Sequence, residues 1–274
     1  MAPAANSTDY ARQIRRHALK MVHAAKSSHI GGALSMADIV AVLYHDILNI
    51  DPANPAHPTR DRLILSKGHC CTALYAALAL KGFFPIEELA TYGQNNSRLM
   101  AHISHKVPGV EFSTGSLGHG LPFGLGKALA AQRRKQPWRT HVIVSDGELD
   151  EGSNWEAILL APHLKLGNLR LIVDHNKIQS LGAVDDVIPL GNLAEKFRAF
   201  RWQAREVDGH DHAQLRAALA APATDSPQVT IAHTIKGKGV TYMENKLLWH
   251  YRNPDDTQLA TALAELDTST GGHP

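Results

Sequence analysis

Two short apolar runs in the middle of the chain constrain its fold most strongly, because each leads to a polar residue that can bind a ligand. Residues 141–145 stop at Asp146, and residues 169–173 lead to Asn176. The 28 residues between Gly147 and Asn176 leave room for one helix and a second strand. This pattern places both polar residues at carboxyl ends of parallel strands, where open α/β sheets bind ligands. A carboxylate and an amide oxygen suit Mg²⁺.

The rest of the chain repeats this alternation of strand and helix. Strands are predicted at 63–66, 141–145, 169–174, 202–207 and 228–233, and helices at 8–26, 36–47, 71–80, 118–132, 152–164, 192–200 and 211–221. The order predicts an α/β fold with a doubly wound, mostly parallel sheet and helices on both faces. Ser35 is predicted to cap the second helix. We assign residues 1–252 to one domain and expect residues 253–274 to be a polar, poorly ordered tail.

Composition excludes several classes of function. The 274 residues carry a formal net charge of +2, so electrostatics indicates neither nucleic acid nor a membrane surface as a partner. The only cysteines, Cys70 and Cys71, are adjacent and cannot build a disulfide framework. The N-terminus has no apolar segment typical of a secretory signal, and no apolar run has the length of a membrane span. We therefore expect a cytoplasmic protein.

Histidine is abundant, with 17 residues in the chain. Several stand beside Gly or Ser in predicted loops, namely His29, His69, His102, His105 and His119. Histidines in such positions can reach a ligand, and they can move protons because they titrate near neutrality. Their spacing is not that of a zinc site. Residues 93–116 lack a periodic pattern, and a loop of that length in a compact domain is usually functional.

Five segments, in this order along the chain, carry a resemblance to a known family. They are SSHIGG at 27–32, SKGH at 66–69, PGVEFSTGSLGH at 108–119, the SDG…N segment that begins at 145, and TIKGKGV at 234–240 followed by Trp249 and His250. Together they resemble the diphosphate-binding domain of thiamine-diphosphate enzymes of the transketolase type. Ser145 departs from the family pattern, which usually has Gly there, but it is still a small residue.

The resemblance implies that the chain binds thiamine diphosphate and Mg²⁺. Asp146, Asn176 and the backbone carbonyl of Ile178 would bind the metal ion. Gly115 and Leu117 would contact the aminopyrimidine through their backbone, and the amide of Gly147 would contact the diphosphate. The complete implied cofactor site is His69, Gly115, Leu117, Asp146, Gly147, Glu148, Asn176, Ile178, Lys236 and His250, with Lys236 as a point charge.

The same resemblance implies catalytic roles for several side chains. His29, His69, His102 and His250 would line the substrate channel. Glu151 would belong to a hydrogen-bonded link between paired active sites, whereas Glu156 could have that role or be a first-turn acid that complements the helix dipole. Tyr251 replaces the small residue that usually follows the last of these histidines, and it would narrow the channel or shift the ring.

The resemblance also implies a reaction and a partner. Transketolases transfer a two-carbon ketol unit from a ketose phosphate to an aldose phosphate, or here to a more specialised acceptor. Family enzymes use a second domain that binds the aminopyrimidine and supplies an activating glutamate, and this domain is not accounted for in the chain. We therefore expect the partner to be a C-terminal transketolase subunit, in an α₂β₂ heterotetramer. Two alternatives stay open: an α subunit of a 2-oxoacid dehydrogenase or decarboxylase, and a non-catalytic scaffold subunit.

Overall fold

A single sheet forms the centre of the molecule. The computed structural model describes residues 4–268. The strands are β1 (Arg62–Leu65), β2 (Thr140–Ser145), β3 (Leu169–His175), β4 (Gln203–Asp208) and β5 (Gln228–His233). They are arranged in the order β1-β2-β3-β5-β4, and all four pairings are parallel. The predicted α/β sheet is therefore confirmed.

Helices connect the strands and extend both ends of the chain. They are α1 (Ser7–Ala25), α2 (Ile30–Ser35), α3 (Ala37–Val42), α4 (Cys71–Lys81), α5 (Gly120–Arg133), α6 (Gly152–His163), α7 (Val184–Val187), α8 (Leu193–Ala199), α9 (His212–Leu219) and α10 (Asp256–Thr268). A π-helical turn, Leu43–Ile47, continues α3, and short 3₁₀ turns occupy Gly68–Cys70, Ile86–Thr91, Gly147–Asp150 and Leu247–His250. None of the helices in the described part of the chain is both long and apolar enough to cross a bilayer.

Helices cover both faces of β1, β2, β3 and β5, whereas the edge strand β4 is largely exposed. Neighbouring residues of each strand point to opposite faces of the sheet. On one face Ile143 and Ile172 pack among side chains of α1, α3, α4 and α9. On the other face Val142 and Val173 pack among side chains of α5, α6 and α8. Helices that cover both faces explain why the buried strands, β2 above all, are near-continuous apolar runs rather than alternating ones.

The expectation of a poorly ordered tail is wrong for residues 256–268. They form α10, and Ala262 and Leu266 are buried against α1 and Trp249. Leu259, Ala262, Leu263 and Leu266 have helical i, i+3, i+4, i+7 spacing, which gives a narrow apolar stripe on an otherwise polar segment. Residues 269–274 lie outside the described part of the chain.

The predicted capping role of Ser35 is also wrong. Ser35 is the last residue of α2, and neither α2 nor α3 has a side-chain cap hydrogen bond. The Ser35 hydroxyl instead lies 2.6 Å from the Asp174 carboxylate at the end of β3. The glycines at 31 and 32, which lie between the two helices predicted at 8–26 and 36–47, are part of α2 and lie close to other chain segments.

Candidate active site

A cleft lies at the carboxyl edge of the sheet, where the loops that follow the strands meet. β2 and β3 end side by side, with Ser145 paired to Asp174. Eleven of the thirteen predicted site residues line this cleft: His29, His69, His102, Gly115, Leu117, Asp146, Gly147, Asn176, Ile178, Lys236 and His250. Residues that are distant in sequence are brought together because parallel strands present their carboxyl ends at one edge.

Three oxygen atoms predicted to bind Mg²⁺ are contributed by the loops after β2 and β3. Asp146 is buried, and its carboxylate accepts hydrogen bonds from the amides of Gly147 (2.8 Å) and Lys177 (2.5 Å). The Asn176 amide oxygen accepts a hydrogen bond from the amide of Ile178 (3.2 Å). Lys177 has a left-handed backbone, with φ of 67°, which turns the chain between Asn176 and Ile178.

This oxygen set fits a hard divalent cation. The Lys236 ammonium lies 2.8 Å from the Ile178 carbonyl, so a positive charge already contacts one of the three atoms. Burial, followed by the charge of Asp174, raises the pKa of Asp146 to about 6, and a bound cation would relieve this cost. In residues 4–268 no three His, Cys, Asp or Glu side chains form a metal cluster. A cation that takes few protein ligands and completes its shell with phosphate and water, as Mg²⁺ does, fits these oxygen atoms.

The four predicted channel histidines form one cluster. The ring centroid of His29 lies 5.1 Å from that of His69, 5.9 Å from His102 and 5.0 Å from His250. His29 has a left-handed backbone, with φ of 72°, at the start of α2, and its amide donates a hydrogen bond to the His250 carbonyl (3.0 Å). A non-glycine residue in this region costs about 1–2 kcal/mol, which is typical of strain at functional sites.

Three of these imidazoles are held in the neutral form. Burial lowers the pKa of His29 to about 4, with a further contribution from His102. Burial, together with the charge of Lys236, lowers the pKa of His250 to about 3. Burial and Lys67 likewise lower the pKa of His69. A neutral imidazole at neutral pH has a free acceptor nitrogen, so the cluster can accept a proton from a bound hydroxyl group.

Lys236 connects the histidine cluster to the oxygen ligands. Its ammonium donates a hydrogen bond to the Ile178 carbonyl (2.8 Å) and lies 3.1 Å from His250 Nδ1. Because the ammonium can only donate, Nδ1 is assigned as the acceptor and the hydrogen of His250 is assigned to Nε2. Burial and the neighbouring Lys67 lower the pKa of Lys236 to about 8. A bound anion would therefore stabilise the charged form of this lysine.

Two predicted site residues do not line the cleft. Glu148 is buried beneath it, where its carboxylate accepts hydrogen bonds from the Ser66 hydroxyl and from the amide of Gly118 (2.9 Å). It therefore supports the loop that carries Gly115 and Leu117. Glu151 is exposed just before α6 and packs against Gly118, where an added Cβ would lie 2.7 Å from the Glu151 Cβ.

Sequence reasoning missed several residues at the cleft. Lys67 lines it, although its side chain is only 1% exposed, and it forms an ion pair with Asp174. Gln179 and Ser180 line its entrance, and the Tyr251 hydroxyl donates a hydrogen bond to the Ser180 carbonyl. The available signals were a lysine two residues before the predicted site residue His69 in SKGH and an aspartate two residues before Asn176 in DHN.

Fold and site together define a class of protein, a parallel α/β domain whose cleft combines oxygen ligands, a lysine and a cluster of histidines. The family model described as "Transketolase, thiamine diphosphate binding domain" matches residues 6–262. The chain belongs to the transketolase family and corresponds to this cofactor-binding domain.

Individual relatives agree with this assignment. The chain is 39% identical to one subunit of the apulose-4-phosphate transketolase of Phocaeicola vulgatus, covering 92% of this chain and 90% of the relative. It is 40% identical to a 6-deoxy-6-sulfo-D-fructose transketolase subunit of a Clostridium species, covering 94% of each. The crystal structure of Campylobacter jejuni transketolase superposes with a TM-score of 0.89 at 30% identity, over 95% of this chain. The chain spans 42% of the length of that enzyme.

Proposed function

We propose that this chain is the N-terminal subunit of a two-component transketolase. The reaction is transfer of a two-carbon ketol unit from a ketose phosphate to an aldose or a more specialised acceptor. The observation that carries this proposal is the shared cleft, in which the His29 cluster faces the oxygen ligands Asp146 and Asn176. Relatives of similar length that are named as transketolase subunits support it.

Groups on several loops at the carboxyl edge of the sheet would hold the cofactor. Asp146, Asn176 and the Ile178 carbonyl would bind Mg²⁺. The Gly147 amide, His69, Lys236 and His250 would contact the diphosphate, and backbone groups of Gly115 and Leu117 would contact the aminopyrimidine. Lys236, whose ammonium donates to the Ile178 carbonyl, would offer its positive charge to a phosphate oxygen. When bound, thiamine diphosphate supplies the electron sink for cleavage of the carbon–carbon bond.

The histidine cluster moves protons. Ketol transfer requires a proton to leave a donor hydroxyl and another to reach the acceptor oxygen. His29, His69, His102 and His250 lie around one small volume, so a proton accepted on one ring can be returned from the same cluster. The lowered pKa values of His29 and His250 keep these rings available as acceptors at neutral pH.

A second polypeptide completes the site. We infer a C-terminal transketolase subunit that binds the aminopyrimidine, supplies the activating glutamate and assembles with this chain as a cytoplasmic α₂β₂ heterotetramer. Two exposed apolar side chains, Leu159 and Leu160, support a partner surface on α6, the helix that follows Glu151. In this proposal residues 1–252 are the diphosphate-binding domain, Glu151 lies at the interface between paired sites, and neither nucleic acid nor a membrane is a partner.

Reconstitution tests this function. The chain is purified with the candidate C-terminal subunit, and transfer from a ketose phosphate to an aldose phosphate is measured with thiamine diphosphate and Mg²⁺. We expect turnover with both chains and none with either alone. Turnover of this chain alone at the level of the mixture contradicts the two-component model. The Asp146→Ala variant, assembled with the same partner, is the control and should lose cofactor-dependent turnover.

The same assay separates the alternatives. A complex that binds the cofactor, ignores ketose phosphates and accepts pyruvate would be a 2-oxoacid enzyme. A complex that binds no cofactor would be a scaffold. The four histidines oppose the first alternative, because decarboxylation has fewer hydroxyl protons to move. The oxygen ligands Asp146 and Asn176 oppose the second.

A further inference from the structure

A buried ion pair lies directly beneath the cleft. Asp174, the sixth residue of β3, is fully buried, and its carboxylate contacts the ammonium of Lys67, whose side chain is 1% exposed. Taking two charges out of water is costly unless the geometry and additional hydrogen bonds compensate. Asp174 is not among the residues that line the cleft, so it has no direct role toward a ligand there.

The Asp174 carboxylate is held from several sides. The Ser35 hydroxyl, at the end of α2, donates to Oδ2 with a distance of 2.6 Å. The Thr234 hydroxyl, which follows β5, donates to Oδ1. With Lys67, these groups come from three loops or helices besides β3, so the position of the carboxylate is set by tertiary packing. Burial disfavours the charged form of Asp174, but Lys67 and the hydrogen bonds from Ser35 and Thr234 together outweigh it and lower the pKa of Asp174.

One further contact joins this network to the proposed metal ligands. The Asn176 amide nitrogen lies 3.4 Å from Asp174 Oδ2 and 3.4 Å from the Ser35 hydroxyl oxygen. Both partners can accept its N–H groups. The Asn176 amide oxygen therefore points the other way, where it accepts the amide hydrogen of Ile178. If the Asn176 amide were flipped, its oxygen would face the Asp174 carboxylate oxygen with no hydrogen atom between them.

We propose that Asp174 is a positioning residue that selects the orientation of the Asn176 amide, and that Lys67 holds Asp174 in place for this purpose. The network presents the Asn176 oxygen, rather than its nitrogen, to Mg²⁺. The inference rests on the metal assignment made in the proposed function. Outer-shell partners of this kind orient metal ligands, and their loss typically weakens metal binding about 10- to 100-fold.

The test measures metal binding directly. The chain is assembled with its C-terminal partner, and Mn²⁺ is titrated in the presence of thiamine diphosphate, with free Mn²⁺ read by electron paramagnetic resonance. We expect Asp174→Asn to weaken Mn²⁺ binding about 10- to 100-fold. The matched control is Asp38→Asn. Asp38 is also a buried carboxylate with a cationic partner, here Arg15, and its loss should leave the Mn²⁺ affinity at the wild-type value.

A second variant covers the case in which Asp174→Asn does not fold because Lys67 is left unpaired. The double variant Lys67→Met/Asp174→Asn removes both charges and should fold, yet still bind Mn²⁺ weakly. Wild-type affinity in the folded variants, or an equal loss in Asp38→Asn, overturns the positioning role. Wild-type affinity in Asp146→Ala would instead overturn the metal assignment, so the two failures are distinguishable.

Discussion

The close packing of α5 on the sheet leads to a quantitative prediction for Gly124→Ala. An added Cβ would lie 2.4 Å from Val142 Cγ2, whereas carbon atoms in contact are about 3.5–4.0 Å apart. The helix must therefore move by roughly 1 Å, and overpacking of this kind costs about 1–3 kcal/mol. Alanine is favoured over glycine in helices by about 1 kcal/mol, which offsets part of the cost. We expect a net loss of about 0–2 kcal/mol in the free energy of unfolding.

The same helix offers a matched control. Gly126 is exposed, and nothing lies within 4 Å of an added Cβ. Gly126→Ala should therefore gain up to about 1 kcal/mol from helix propensity alone. The difference between the two variants, about 1–3 kcal/mol, isolates the steric term because the propensity gain cancels. Urea unfolding followed by far-ultraviolet circular dichroism measures it.

A functional consequence accompanies the change in stability. α5 begins at Gly120, whose amide donates to the Ser66 hydroxyl (3.0 Å), and this hydroxyl donates to Glu148. Glu148 supports the loop that carries Gly115 and Leu117 through the Gly118 amide. Gly124→Ala should thus weaken thiamine diphosphate binding, and Val142→Ala in the same chain should relieve the effect. Equal unfolding free energies for Gly124→Ala and Gly126→Ala would refute the packing argument.

Two further predictions concern the cleft. Because the folded-state pKa of Asp146 is raised to about 6, the metal-free protein gains stability as the pH falls through about 6 toward the ordinary aspartate range. Metal binding requires the ionised Asp146 carboxylate, so Mn²⁺ affinity should fall roughly tenfold per pH unit below about 6, after correction for the titration of free thiamine diphosphate. An unchanged affinity at pH 5 contradicts this prediction. Tyr251→Phe removes the hydrogen bond to the Ser180 carbonyl. KM for the sugar phosphate should rise several-fold while kcat changes less. Equal KM values for the wild type and the variant would show that this contact has no role in substrate binding.

Much of the fold was predictable because its signals are local. The buried strands are continuous apolar runs, and the helices between them show periodic apolar residues, so alternation alone predicts a parallel sheet. α10 shows the limit of this reasoning. Its apolar stripe, which includes Ala262 and Leu266, is narrow, and its burial depends on α1 and Trp249, which are distant in sequence.

The candidate site was predictable where its residues follow strand ends. Asp146 and Asn176 can be placed from two apolar runs, because parallel strands end at one edge. The family resemblance implied that Glu148 belongs to the cofactor site, but its side chain turns beneath the cleft to Ser66 and Gly118. Side chains of adjacent loop residues can point in different directions, and these directions depend on the packing of the surrounding structure.

Spacing along the chain is enough to predict the α/β class, the strand ends that carry Asp146 and Asn176, and the loops that carry the histidines. Which charges are buried together depends instead on how distant segments pack. The pairing of Lys67 with Asp174 and the lowered pKa values of His29 and His250 arise from burial by groups far away in sequence. Desolvation depends on everything that excludes water from a site, so no local pattern can encode it.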